Sequence, residues 1–400
     1  MPDLILRGAA SIFGSETGSG DNAVAITNGV IESVKPFSDI DSALCRVVDV
    51  QGCTILPGFV DAHTHLVFAG TRENELLMRA KGTPYLDILR QGGGIYNTVN
   101  AVRQASEEEL EKQALYFLDQ ALAFGITTVE AKSGYGLDVE NEEKMLRVIQ
   151  KVNTLHPVDV VPTFLVHSVP KEYERAEYIT LVEKEMLPRF RQYARWFDIF
   201  LEKGVFSTDE AERLISAATD LGYVSGIHTN QVHDMGGIAL AQRMGVRHVN
   251  HLEVLSDKDA EIIKQSGMYA VFLPTAEGLV FSSHVGQIHK LLDMPDRIVL
   301  SSDFNPGSSP VLNPFFVMTY ALMRYRIADP HLLVNAYTAN PAAMLNLTDR
   351  GSIEPGMQAD LVCLNIDSIE KLPYFGTFDL VSNVIKKGVV YSRESLKQTD

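Results

Sequence analysis

The chain has 400 residues, 46% of them hydrophobic and 22% charged. That is the balance of a soluble globular protein, and the length favours two domains over one. Its 35 Lys and Arg against 51 Asp and Glu leave a net charge of −16, which repels polyanions and argues against a nucleic-acid partner. The three cysteines, Cys45, Cys53 and Cys363, are too few for a disulfide framework and suit a reducing compartment. Asp3 stands where a signal peptide needs positive charge, and the longest apolar runs, around Ala270 to Pro274, are too short to span a bilayer. The expected location is the cytoplasm, with no membrane partner.

The first sixty or so residues read as strands. Leu4 to Arg7 leads into a polar Gly/Ser loop from Gly14 to Asn22. The runs Ala23–Thr27 and Val30–Val34 flank Asn28-Gly29, a pair that supplies the positive φ angles of a hairpin turn. From there the pattern changes to short apolar strands alternating with helices. Helical stretches run from Ser106 to Phe124, opened by a capping box of Ser106 and Glu109, and near 141–152, 208–221, 236–244 and 256–265. Eight strand-like runs end near Leu66, Lys132, His167, Glu202, Gln231, Leu252, Leu273 and Asp303. Such alternation implies parallel pairing, and eight units over roughly 290 residues is the size of a (β/α)₈ TIM barrel. An open doubly wound sheet is the rival, but Gly92-Gly93-Gly94 follows a helix-like segment and does not fit a dinucleotide fingerprint. Strands return after Leu347, at Asp360–Leu364, Asn383–Ile385 and Val389–Tyr391. The expectation is an α/β protein with a barrel over 58–346 and a small composite β-sandwich domain built from 1–57 and 347–400.

The chemistry-bearing residues fall at the C-terminal ends of the barrel strands, where barrel enzymes keep their sites. His63-Thr64-His65 ends the first strand, and residues i and i+2 of a strand share a face. His228 ends the fifth, His251 the sixth and Asp303 the eighth. Singly, each reads equally well as a rim residue, but together they suit Zn²⁺, or Fe²⁺ with a retained water. Such an ion activates water and polarises a carbonyl, which points to hydrolysis of an amide, amidine or ester. The remaining histidines, His156, His233, His248, His284, His289 and His331, read as loop, helix or surface residues. Glu202, ending strand four, reads as a structural carboxylate, with no lysine placed to bridge a second metal.

Pro57-Gly58-Phe59-Val60-Asp61-Ala62-His63-Thr64-His65 resembles the opening of the amidohydrolase superfamily. Family-level motifs narrow this to the imidazolonepropionases of histidine degradation: His65 to Arg72, Gln91-Gly92-Gly93-Gly94-Ile95, Lys132-Ser133-Gly134-Tyr135-Gly136-Leu137 and Asp303 to Pro310. The resemblance covers nearly the whole chain. It implies hydrolytic ring opening of 4-imidazolone-5-propanoate to N-formimino-L-glutamate. It also implies one Zn or Fe ion on His63, His65, His228 and Asp303, and a homodimer. Arg72, Tyr85, Tyr135, His167 and Asn305 match positions that contact substrate, and His251 matches one that assists the reacting water. Arg72 fits independently, because a guanidinium forks a carboxylate and the substrate carries one.

Two features depart from that family. It has a Glu three residues after the strand-five histidine, where this chain has Gln231, and an amide cannot take a proton. Around His167 the family pattern Gly-Ala-His-Ala is replaced by Leu165-Val166-His167-Ser168. Asp303 and His251 then remain as the groups that handle the proton and the developing charge, and Gln231 as a hydrogen-bonding member of the site. The rival readings are a related deaminase or cyclic-amide hydrolase with another substrate, and a metal-free scaffold on the same fold.

Overall fold

The computed structural model describes residues 2–15, 22–83, 87–88 and 93–396. Its centre is a sheet of eight parallel strands in sequential order. They are β1 (Phe59–Thr64), β2 (Ile126–Lys132), β3 (Asp159–Val166), β4 (Trp196–Ile199), β5 (Val224–Thr229), β6 (His248–His251), β7 (Tyr269–Phe272) and β8 (Ile298–Leu300). The strands are buried almost throughout, as parallel strands covered on both faces must be. The ring closes between β1 and the segment after β8. Thr64 bridges Phe304, and His65 N donates to the Phe304 carbonyl at 2.8 Å. Beneath that bridge Asp61 accepts from the Ser301 hydroxyl, from Ser302 N at 3.1 Å and from the Tyr337 hydroxyl at 3.0 Å. A buried carboxylate thus ties the first strand to the last, and with it the two histidines of β1 to Asp303.

The covering helices follow the expected pattern. Glu107–Ala123 is opened by a reciprocal capping box of Ser106 and Glu109, and Thr208–Asp220 by one of Ser207 and Glu210. The barrel strands stop up to three residues short of their sequence-expected ends. At β5, β6 and β8 a reason is visible in the backbone: Asn230, His251, Leu252 and Asp303 all have φ between 50° and 83°. Left-handed residues break strand pairing, and non-glycine residues hold that conformation at a cost of about 1–3 kcal/mol each. Two of them, His251 and Asp303, belong to the cluster of potential metal ligands. His248 is a correction to the sequence reading. It is not a loop, helix or surface residue but the buried first residue of β6, packed beside Trp196 under the sheet.

Both chain ends form two further sheets. One holds Val30–Pro36, Asn22–Thr27, Leu4–Arg7 and Arg46–Asp49; the other holds Val389–Ser392, Val381–Lys386, Leu361–Leu364, Thr54–Pro57 and Ser11–Ile12. Leu6, Val24, Ile26 and Ile55 from one end share a core with Leu361, Cys363 and Ile385 from the other. The Asn28-Gly29 turn forms as expected, with φ of 50° and 75°. Gly29 is required twice over, because a Cβ there would lie 2.6 Å from the Lys387 carbonyl oxygen of the C-terminal hairpin turn. The expected loop at 14–22 lies partly outside the described residues. Among the described residues no helix is long and apolar enough to cross a membrane.

An ion cluster ties the C-terminal strands to the barrel floor. Asp159, opening β3, receives Arg350 Nη1 at 2.5 Å and the ammoniums of Lys386 and Lys387 at 2.7 Å each, and Lys386 also reaches Asp360 at 2.6 Å. Burial would push the Asp159 carboxyl up, but the charge and hydrogen bonds of Lys386, with those of Lys387 and Arg350, hold it well below the usual carboxylate range. A depressed folded-state value stabilises the fold in full above the unfolded value of about 3.9, and that contribution starts to fade there and is lost only as pH falls through the lower folded-state value. Asp159→Asn should lower the unfolding free energy by roughly 1.5–3 kcal/mol at neutral pH, the scale of a charged hydrogen bond. The difference from the parent in urea titrations should shrink towards pH 3; an equal difference at both pH values would refute this role.

Candidate metal centre

Each site residue reaches the same place from a different strand end. His63 and His65 leave β1 on one face, His228 leaves β5, His251 ends β6 and Asp303 follows β8. His63 Nε2 and His65 Nε2 lie 3.5 and 3.4 Å from Asp303 Oδ1. Two overlapping groups of potential ligands share His63: one with His65 and Asp303, one with His228 and His251. In each, the ligand atoms lie within 4.8 Å of one another. His63 Nε2, His65 Nδ1, His167 Nδ1, His228 Nε2 and His251 Nδ1 are buried with no hydrogen-bond partner among the described residues, and His251 Nδ1 lies 3.5 Å from Glu253 Oε1. A buried polar atom without a partner costs about 1–3 kcal/mol. Two of these atoms, His63 Nε2 and His228 Nε2, together with His65 Nε2 and the Asp303 carboxylate, are the donor set of a divalent cation with nitrogen and oxygen ligands.

The electrostatics separate the histidines. Burial, with the charge of Lys132, pushes His63 well down, His65 to about 3 and His228 to about 4. Such imidazoles are neutral at ordinary pH, which is the ligating form. His251 goes the other way: burial would lower it, but Glu253, 3.5 Å from its Nδ1, and Asp303 raise it above its ordinary value. A histidine that keeps its proton suits charge stabilisation. Burial also raises the Asp303 carboxyl, against the charges of His251 and His228, which makes it a better proton acceptor than a free aspartate.

Several of the residues expected to meet substrate gather beside His65. Its ring stacks on His167 at 5.6 Å, and Tyr135 lies 5.5 Å from both. Burial pushes the Tyr135 hydroxyl up, so it remains a donor. Arg72 is felt electrostatically at both Tyr135 and His167. Its Nε and Nη2 are already forked onto Glu75 at 2.9 and 2.7 Å, which leaves Nη1 without a hydrogen bond among the described residues. Asn305 is spent within its own loop. Its Oδ1 accepts from Gly307 N and Ser308 N, and its Nδ2 donates to the Asp303 carbonyl and to Ser308 Oγ, so the side chain shapes the Asp303 loop. Gln231 is half-buried and has no hydrogen-bond partner among the described residues. Tyr85 lies outside the described residues.

Three buried carboxylates hold the loops around this pocket. Glu75 takes Arg72, Arg79 and Gly94 N, and Arg79 in turn donates to the Gly307 carbonyl at 2.8 Å. Glu142 accepts from Gly134, Gly136 and Leu137 N, fixing the loop that carries Tyr135. Glu202 accepts from Lys203, Val232 and His233 N and from the His233 ring, so its oxygens are occupied in the loop after β5. Glu75 and Glu142 escape sequence reasoning because a helical glutamate looks solvated. The only signal is a glycine-rich loop nearby, whose N–H groups need an acceptor.

Residues 68–391 match the amidohydrolase family. Imidazolonepropionase from Alkaliphilus metalliredigens (strain QYMF) is 41% identical over 375 residues, covering 92% of this chain and 88% of that one. Imidazolonepropionase from Bacillus cereus (strain B4264) is 40% identical over 380 residues, covering 93% and 90%. Among solved structures, an adenosine deaminase from Xanthomonas campestris with bound zinc superimposes with a TM-score of 0.77 at 20% identity, covering 100% of this chain and 95% of that one.

The double substitution of His63 and His65 by Ala removes donors from the group that contains Asp303. It should abolish metal retention in purified protein, read by elemental analysis, and activity with it. Full metal occupancy in the double variant would refute the site.

Proposed function

The chain belongs to the imidazolonepropionases of the amidohydrolase family, and from that membership we propose that it hydrolyses the cyclic amide of 4-imidazolone-5-propanoate to N-formimino-L-glutamate in histidine degradation. The observation that carries the reading is the meeting, at one barrel end, of imidazole nitrogens and an arginine Nη1 that have no hydrogen-bond partner among the described residues.

His63, His65, His228 and Asp303 would hold one Zn or Fe ion. When bound, such an ion polarises the ring carbonyl and makes water nucleophilic near neutral pH. The rest falls to the protein. Arg72, held by Glu75, offers Nη1 to the propionate carboxylate of the substrate. Tyr135 and His167 border the ring and limit water around it. Asp303 accepts a proton from the attacking water and returns it to the ring nitrogen as the carbon–nitrogen bond breaks. His251, protonated through Glu253, stabilises the charge that develops on the carbonyl oxygen. Gln231 stands where the family has a carboxylate, and hydrogen-bonds substrate or water without titrating. Turnover of imidazolonepropionate generated in place from urocanate tests the reading; turnover of a purine or another lactam in its stead would favour the related-hydrolase alternative that Gln231 raises.

Arg72→Ala should raise KM about 10- to 150-fold, the worth of a charged hydrogen bond, with Arg72→Lys recovering only part. Gly307→Ala should act in the same direction, because a Cβ there would lie 2.2 Å from Arg72 Nη1. An unchanged KM in Arg72→Ala places the residue outside the pocket.

Gln231→Glu introduces a titrating group beside the reacting atoms. It should raise kcat or add a limb to the pH–rate profile, since a general acid or base contributes about 10²–10⁴-fold. An identical rate and profile would show that position 231 faces away from the reacting water.

A further inference from the structure

The floor beneath the metal centre is not the apolar packing that fills most barrels of this kind. Lys132, the last residue of β2, is completely buried there, with its Nζ 2.9 Å from Glu130 Oε1 and 3.0 Å from Asp198 Oδ2. A buried ion pair gains little or nothing in stability over apolar packing of the same volume. The ammonium therefore calls for a reason, and its second partner supplies one.

Asp198 is a hub. Its Oδ1 faces His228 Nδ1 at 3.0 Å, and its Oδ2 takes Lys132 and, at 3.4 Å, Asn250 Nδ2. Asn250 Nδ2 also donates to the Ile227 carbonyl at 3.1 Å, so its Oδ1 is the end turned to His63 Nδ1, 3.0 Å away. The pairing of β5 with β6 places His228 directly beside Asn250. The tautomers follow. A carboxylate only accepts, and the Asn250 oxygen only accepts, so both histidines carry their proton on Nδ1. Each Nε2 then presents a bare lone pair, and these are two of the unpartnered nitrogens of the site.

We propose that Lys132 is a positioning residue for the metal centre: by clamping Asp198 it sets, directly for His228 and through Asn250 for His63, the tautomer and ring orientation that aim both Nε2 atoms at the ion. The chain of contacts runs from the ammonium to two ligands on different strands. The inference rests on the ligand assignment above.

Zinc affinity of the metal-stripped full-length protein, measured by competition with a chromogenic chelator, tests it. Lys132→Met and Asn250→Leu should each weaken zinc binding about 10- to 100-fold, the usual effect of losing a partner that orients a ligand. The visible spectrum of the Co²⁺-loaded protein should change in both, because ligand orientation changes. Lys132→Met strands two carboxylates; if it does not fold, Asn250→Leu, which leaves no charge unpaired, decides alone. A folded Asn250→Leu that melts lower without metal yet binds zinc like the parent, with the parental Co²⁺ spectrum, would overturn the proposal and leave the ligand assignment standing. A parent that binds no zinc would overturn both.

Discussion

Two imidazole nitrogens aimed into the site, His63 Nε2 and His228 Nε2, are buried without a hydrogen-bond partner among the described residues, and that is a standing cost. They stay there because burial, reinforced by the charge of Lys132, keeps His63, His65 and His228 neutral, and because their neighbours leave the lone pairs pointing inward. A cation relieves that cost and converts it into binding energy. The other features of the site are arrangements that bring the ligands to this point and keep them from turning elsewhere.

The same physical device recurs around the pocket. A barrel strand can deliver a side chain to its end, but the loop beyond it must be held, and here buried carboxylates do the holding. Asp61 fastens β1 to the segment after β8. Glu75 anchors the Arg72 segment, Glu142 the Tyr135 loop and Glu202 the loop containing Gln231. Each accepts backbone N–H groups or a guanidinium that would otherwise lack partners inside the protein, so the loops are set before substrate arrives. Arg72 shows the consequence. Half of its fork is committed to Glu75, which fixes the edge it can show to a carboxylate.

Much of this is legible in the sequence, and the limits have physical causes. Strand–helix alternation, the capping box of Ser106 and Glu109 and the Asn28-Gly29 turn are local signals, and the barrel and the hairpin follow from them. The ligands are legible because His63 and His65 share a strand face and because His228, His251 and Asp303 each close an apolar run. The exact strand ends are not, since left-handed residues such as His251 and Asp303 obey the site and not local propensity. Nor is the polar floor. Lys132, Asp198 and Asn250 sit on three different strands, and only closure of the barrel brings them together. His248 misleads for the same reason: nothing in its neighbours along the chain shows that it lies under Trp196. Asn305 keeps its place in the motif, but its hydrogen bonds turn inward to the Asp303 loop, a distinction that requires coordinates.

The central claim is that one cation sits where these side chains converge. Anomalous diffraction from crystals of the zinc-loaded protein, collected on either side of the zinc absorption edge, tests it most directly. The account predicts a single anomalous peak per chain, bordered by His63, His65, His228 and Asp303. A peak at another place in the chain, or a second peak of equal height beside Glu202, would contradict it.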